Sequence, residues 1–332
     1  MTARPASIGL AFLGCGKATR MHSRTLARLA PEVRLHYASR DLDKARRVSD
    51  EHGGVGAYGS YESAIEDPVT QVILVATPPP LHLDLTLAAL SAGKDVIVEK
   101  PAFLHPEDFG RVREAMSRSG QRVFVAENYF YKPLRRRLLG ILEEGIIGDP
   151  LFLQVNAVKR QQPDDWRASA AASGGGGLFE GGIHWINLMA NLGMDVQAVS
   201  GYRAGVTKGL RDGNRETEES IHVVMNFTNG AVGTLSFSWE VPSPLRGIRI
   251  SKLYGREGSV TFESNGIFVF ASGSRTRLTF PGFRDLAGYR AMFTDFLAAI
   301  RTGRDPLMTL DIAEQDVRLV RDIYRSIELN DS

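Results

Sequence analysis

Ile8-Gly-Leu-Ala-Phe-Leu13-Gly14-Cys15-Gly16 decides how the rest of the chain is read. Ile8–Leu13 is a continuous apolar run, a glycine turn follows, and a helical stretch runs from about Lys17 to Leu29. In the order strand, glycine turn, helix, a Gly-x-Gly can cradle a phosphate, because glycines at Gly14 and Gly16 let a pyrophosphate approach the backbone at a helix N-terminus. The third glycine of the full fingerprint would fall at Thr19, so the motif is incomplete.

Working outward, strands and helices alternate. Val33–Ala38 reads as a second strand, Leu42–Glu51 and Tyr61–Glu66 as helices, and Val72–Ala76 as a strand ending in Thr77-Pro78-Pro79-Pro80-Leu81-His82. A helix to Ala92, a strand at Asp95-Val-Ile-Val-Glu99, a helix over Glu107–Ser117 and a strand Val123–Ala126 complete the series. This spacing predicts a doubly wound parallel sheet, whose ligands sit at the carboxyl ends of the strands. Glu99 and Lys100 stand at such an end, closed by Pro101, which biases the lysine toward an extended or turn geometry. A strand that simply ends in two solvated charges is the plainer alternative. The tip of the second strand selects the coenzyme. Ser39-Arg40, with Lys44 one turn on, suits a ribose 2′-phosphate, so NADP(H) is expected ahead of NAD(H). Asp41 stands one or two places late for a ribose-binding acid and reads equally as a helix N-cap.

After Asn128 the pattern changes. A helix over about Leu134–Glu144 precedes alternating runs at Leu151–Lys159, Ala198–Val206, Ile221–Phe227, Val232–Trp239, Ile248–Tyr254 and Ser259–Phe262, and helices close the chain at about Gly288–Arg301 and Ile312–Ile327. The expected organisation is a dinucleotide-binding domain over 1–127 and an α+β domain over 128–332 with a large, mostly antiparallel, open-faced sheet. Its uncovered face predicts self-association as a homodimer or homotetramer. Within it, Gly174-Gly-Gly-Gly177 leads into Leu-Phe-Glu180-Gly-Gly-Ile-His184-Trp-Ile-Asn187-Leu-Met-Ala-Asn191. If helical from about Phe179, this segment places Glu180, His184, Asn187 and Asn191 on one polar stripe lining a wet cavity. Glu180 could then accept from one imidazole nitrogen and leave the other for substrate; a satisfied buried histidine is the even alternative. Trp166-Arg167 offers an oxyanion or cofactor contact, or a plain cation–π pair.

Composition narrows the partners. The 332 residues carry a net charge of +2, with 43% hydrophobic and 23% charged residues, which suits a globular protein with no polyanionic partner. The basic cluster Lys132–Arg137 opens an amphipathic helix and reads as a solvated face rather than a nucleic-acid surface. One cysteine, Cys15, rules out an intrachain disulfide and a cysteine-built metal site, and it suits the cytoplasm. No metal site is expected. No apolar run approaches the ~20 residues of a membrane span.

Together these pieces resemble the Gfo/Idh/MocA oxidoreductases, the glucose–fructose oxidoreductase and inositol dehydrogenase family, over practically the full chain. The likeness rests on Gly14-x-Gly16, Thr77-Pro78 with His82, Glu99-Lys100-Pro101, Asn128, Trp166-Arg167, the glycine run before His184, and Tyr289 opening a late helix. It implies a Rossmann-type N-terminal domain and hydride transfer between nicotinamide C4 and a secondary alcohol or ketone of a sugar, polyol or related cyclic compound. It further implies that Lys100 and His184 flank the reacting carbon in acid/base roles and that the Lys100–Pro101 bond is cis. Gly16, Lys17, Ala18, Ser39, Arg40, Lys44, Thr77, Pro78, His82, Glu99, Asn128, Trp166, Arg167 and Tyr289 match dinucleotide-contacting positions of relatives. Two residues depart from the pattern, Glu180 and Asn187, each standing where many relatives carry aspartate. Two other functions stay open on this fold. One is net non-redox processing of a glycoside with tightly held coenzyme; the other is a coenzyme-sensing regulator, which has no need of a proton donor.

Overall fold

A computed structural model describes residues 7–161, 169, 174–204, 218–242 and 247–331. By its contacts the chain divides into two compact units. One comprises the chain up to Glu127 together with Tyr289–Glu314; the other comprises Asn128–Gly288 and the chain from Gln315 onward.

The first unit is built on β1 (Ile8–Leu13), β2 (Val33–Ala38), β3 (Gly56–Tyr58), β4 (Val72–Val75), β5 (Asp95–Glu99) and β6 (Val123–Ala126), in the sheet order β3-β2-β1-β4-β5-β6. Every pairing is parallel. Helices α1 (Lys17–Leu29), α2 (Leu42–His52), α3 (Tyr61–Glu66), α4 (His82–Ser91) and α5 (Pro106–Ser119) connect them. Strand order reverses between β1 and β4, and a ligand crevice opens at such a switch point. β1 and β4 are buried along their whole length, which is why both read as unbroken apolar runs rather than alternating ones. The buried face of α1 is unusual for a helix on a sheet: of Thr19, His22, Ser23 and Leu26, only the last is apolar. Each polar member has an internal partner. Thr19 Oγ1 donates to Gly14 O at 2.7 Å, Ser23 Oγ donates to Thr19 O at 2.7 Å and accepts from Tyr37 Oη, and His22 bonds Glu99.

Sequence reasoning assigns residues 289–314 to the second domain, whereas their contacts lie with the first unit. Helix Tyr289–Thr302 buries Met292, Phe293 and Phe296. Phe293 meets the edge of His22, Phe296 packs on Phe124 of β6, and Arg122 donates to Ala299 O at 2.7 Å while also bonding Asp95 Oδ2 at 3.0 Å. Burial of such aromatic side chains contributes about 1.5–3 kcal/mol each, enough to fix where this helix sits.

The second unit has an eight-stranded mixed sheet made of β7 (Pro150–Val158), β8 (Val196–Arg203), β9 (Ser220–Phe227), β10 (Val232–Ser238), β11 (Ile250–Gly255), β12 (Ser259–Glu263), β13 (Val269–Ser272) and β14 (Arg277–Thr279). The order is β14-β13-β12-β11-β7-β10-β9-β8, antiparallel except for β7 beside β10. With it go α6 (Pro133–Glu143) and α7 (Ile183–Ala190); the helix Tyr289–Thr302 is α8, and α9 (Leu310–Asp331) enters this unit at Gln315. The inner sheet face is covered by α7, whose Met189 lies against Gly233, and by α9, whose Ile323 and Ile327 lie against Gly201. On the other face Phe152, Tyr202, Ile250, Phe270 and Leu278 are each at least 40% exposed. No described helix is long and apolar enough to cross a membrane.

Candidate active site

In the first unit the glycine turn sits at the β1/β4 switch point. Gly14 has φ +105°, and a Cβ there would lie 2.7 Å from Ala76 O, so only glycine fits. Gly16 caps α1 with extended backbone and no side-chain cap, and a Cβ on it would meet nothing within 4 Å. The first turn of α1 carries no acid. A helix start without a side-chain cap or an acid, with an open approach, suits an anion. Thr19, where the third glycine of the fingerprint would stand, uses its hydroxyl to close the turn onto Gly14 O. Across the turn, Thr77 is buried with an Oγ1 that has no hydrogen-bond partner among the described residues. An orphaned hydroxyl on the residue beside the glycine turn fits a bound dinucleotide. Lys17 and Ala18 open α1 behind the cradle, and Pro78 starts the turn after Thr77.

The β2 tip resolves the question of Asp41. Its carboxylate accepts the Lys44 N–H at 3.0 Å and its own N–H donates to Ser39 Oγ at 3.2 Å, so it is the N-cap of α2. Arg40 and Lys44 are both exposed there.

Lys100 follows β5, half-buried, with a cis bond to Pro101. Its backbone N–H donates to Glu99 Oε2 at 3.1 Å, while Glu99 Oε1 bonds His22 Nε2. Burial alone would raise the Glu99 carboxyl. The His22 hydrogen bond and charge, with the Lys100 charge and N–H, outweigh it and hold Glu99 at about 2. His82 is 1% exposed and faces carbonyls with both ring nitrogens: Nδ1 lies 2.9 Å from Pro101 O and Nε2 lies 2.9 Å from Thr77 O. With one ring nitrogen near each loop carbonyl, His82 ties the loops at Thr77 and Pro101 together. Tyr289 reaches His22, their rings edge to face at 5.4 Å.

In the second unit Tyr129 stacks on His184, centroids 4.6 Å apart and planes 17° from parallel, and the buried Lys132 ammonium lies 3.9 Å from the Tyr129 centroid. A ring gripped in this way presents its edges in a fixed direction. Asn128 donates to Ala287 O at 2.6 Å, an anchor within the unit. The segment before α7 is not a plain α-helix. Leu178–Gly182 forms a π turn, a widened form recurrent at functional sites, and α7 begins only at Ile183. Glu180 lies in that turn and is half-buried. Asn187 departs from the expected stripe: it is fully buried and donates to Asp316 Oδ2 of α9 at 2.8 Å, so it tethers helices rather than lining a wet cavity. The glycine run before the π turn is held by Glu218, which accepts from Leu178 N–H at 3.0 Å and Tyr324 Oη at 2.7 Å. A Cβ on Gly176 would lie 1.4 Å from Glu218 Oε2. Burial pushes the Glu218 carboxyl up against those hydrogen bonds. Trp166 and Arg167 lie outside the described residues.

His22, Glu218, Tyr324 and Tyr129 are the residues that sequence reasoning missed. Only His22 carried a signal, as a histidine on the inward face of a helix next to the glycine turn.

Among the described residues no group of His, Cys, Asp and Glu could hold a metal ion. Residues 8–127 match the family model described as an oxidoreductase family with an NAD-binding Rossmann fold, and residues 136–261 match the GFO/IDH/MocA C-terminal domain. An uncharacterised oxidoreductase, ORF334, of Rhizobium meliloti is 27% identical, covering 88% of both chains. Levoglucosan dehydrogenase of Pseudarthrobacter phenanthrenivorans is 23% identical, covering 97% of this chain and 89% of its own. A solved structure of levoglucosan dehydrogenase, in complex with NADH and levoglucosan, superposes with a TM-score of 0.86 at 21% identity over 97% of each chain, a likeness of fold. With one family's N-terminal and C-terminal models matched in turn, the chain belongs to the Gfo/Idh/MocA oxidoreductases.

Proposed function

We propose that this protein is an NADP(H)-preferring oxidoreductase acting on a secondary alcohol or ketone of a sugar, polyol or related cyclic compound. The observation that carries the proposal is Lys100 at the end of β5, half-buried and backed by an ionised Glu99. When bound, the nicotinamide supplies the hydride donor or acceptor. Lys100 Nζ hydrogen-bonds the reacting oxygen and takes or returns its proton, and in a site shielded from water its charge stabilises negative charge developing on that oxygen. His184, fixed by its stack on Tyr129, is the second acid/base group, with Glu180 in support. Gly14, Gly16 and the start of α1 hold the pyrophosphate, and Thr77 contributes its spare hydroxyl. Arg40 and Lys44 hold the 2′-phosphate; Asp41, spent as a helix cap, offers no competing grip on a free 2′-hydroxyl. The exposed apolar face of the eight-stranded sheet joins two or four copies of the chain.

The test is coenzyme-dependent turnover on a panel of sugars and cyclic polyols, with NADP(H) and NAD(H), for the unaltered chain and Lys100→Ala. Turnover is expected to fall about 10²–10⁴-fold in the variant, with coenzyme binding retained. Near-normal turnover in Lys100→Ala refutes the assignment.

A further inference from the structure

His22 is fully buried on α1, six residues beyond the capping glycine of the phosphate turn. Its Nε2 bonds Glu99 Oε1, while Nδ1 has no hydrogen-bond partner among the described residues. Tyr289 and Phe293 of α8 stand edge to face against the ring, at 5.4 and 5.2 Å, and fix its plane. A buried nitrogen without a partner is destabilising, so an apolar ring would fill this space better if packing were all that the position required. What the imidazole adds is a donor aimed at one oxygen of Glu99. The other oxygen accepts the Lys100 N–H at 3.1 Å.

We propose that His22 is a positioning residue for Lys100, acting through Glu99: by donating to Oε1 it fixes the carboxylate whose Oε2 holds the Lys100 peptide, and so ties the helix of the phosphate turn to the lysine. The ionisable groups facing Glu99 are His22 from α1, Lys100 at the strand end and His82 at the start of α4, with Tyr289 of α8 behind His22. Of these His22 donates a side-chain hydrogen bond to the carboxylate. The low Glu99 value is the counterpart of this arrangement, because burial without the imidazole drives the carboxyl upward.

The proposal rests on Lys100 being the acid/base group, and its test needs no substrate, so the two fail separately. Carbon-13 spectra of the full chain labelled in glutamate, with Glu99→Gln assigning the signal, follow the Glu99 carboxyl from pH 8 to pH 4; hydrogen exchange follows the Lys100 amide. In the unaltered chain the carboxyl signal is expected to stay flat over that range. His22→Asn, whose amide is too short to reach Glu99, should bring a midpoint into the range, a rise of at least about one pH unit, and speed Lys100 amide exchange about tenfold or more. His22→Gln, which can place a donor near the lost Nε2, should restore both. The proposal is overturned if His22→Asn leaves carboxyl and amide unchanged, or if both variants shift alike. Should His22→Asn not fold, nitrogen-15 spectra of the unaltered chain decide: His22 Nε2–H must show donation to a carboxylate, and an imidazole without that signature ends the proposal.

Discussion

Tyr324→Phe isolates one hydroxyl that holds the approach to α7. In the native chain Tyr324 Oη accepts the Gly176 N–H at 2.9 Å and the Phe179 N–H at 3.3 Å, and donates to Glu218 Oε1 at 2.7 Å. Phenylalanine keeps the ring and its packing, so the loss is confined to those bonds. Each neutral bond is worth about 1 kcal/mol net and the bond to the carboxylate about 1.5–3, with the long Phe179 contact at the weak end; the sum is about 3 kcal/mol. The sign with pH follows from Glu218. Its carboxyl is raised by burial, so the folded state loses stability as pH rises from the unfolded value through the folded one. Removing a donor raises it further, and the destabilisation should be larger at pH 8 than at pH 5. Urea unfolding followed by tryptophan fluorescence suits the measurement, since Trp166, Trp185 and Trp239 all fall within 128–288. Exchange of the Gly176 and Phe179 amides should rise in parallel. A loss below about 1 kcal/mol at pH 8, or a loss independent of pH, would show that the hydroxyl does not hold the glycine run.

Two further perturbations address the first unit. Replacing Arg40 and Lys44 by serine should lower the ratio of NADP(H) to NAD(H) affinity by about 100-fold, as expected for lost charge-assisted bonds to a 2′-phosphate; a ratio within a factor of three of the original, from fluorescence titrations, refutes the assignment. Glu99, held at about 2 against a reference of 4.5, has a depressed folded value, so its stabilisation is present above the unfolded value and disappears as pH falls through the folded one. Stability should therefore drop between about pH 5 and pH 2 by about 3 kcal/mol more in the native chain than in Glu99→Gln. Parallel curves would dismiss the carboxylate as a contributor.

Much of this architecture was legible from local pattern. The strands at Ile8–Leu13 and Asp95–Glu99 announced themselves as apolar runs ending in glycine or charge, and alternation in the second half located β7 to β12 within three residues at each end. Short elements escaped: β3, β13 and β14 have three or four residues, too few for a period to show. The π turn escaped because residues 178–191 suit an α-helix locally, while the packing of Gly176 against Glu218 decides otherwise. Pairings between distant residues escaped for the same reason. Glu99 with His22, Glu218 with Tyr324 and Asn187 with Asp316 join positions 77, 106 and 129 residues apart, and no window of sequence contains both partners. Asn187 shows the consequence: on a helical wheel it shares a stripe with His184, yet Asp316 claims it for the interior.

The place of β7 bears on how the second unit is made in the cell. It is the first of the eight strands to leave the ribosome, yet it lies between β10 and β11, which come more than seventy residues later. Until then its hydrogen-bonding edges have no native neighbour, and the hairpin blocks β8–β10 and β11–β14 have nothing to dock against. Ordering this half must therefore wait on a long loop closure rather than on zipping of successive turns. A nascent chain stalled within that interval would expose an unpaired strand to aggregation, so slow synthesis here is hazardous and chaperone shelter most useful.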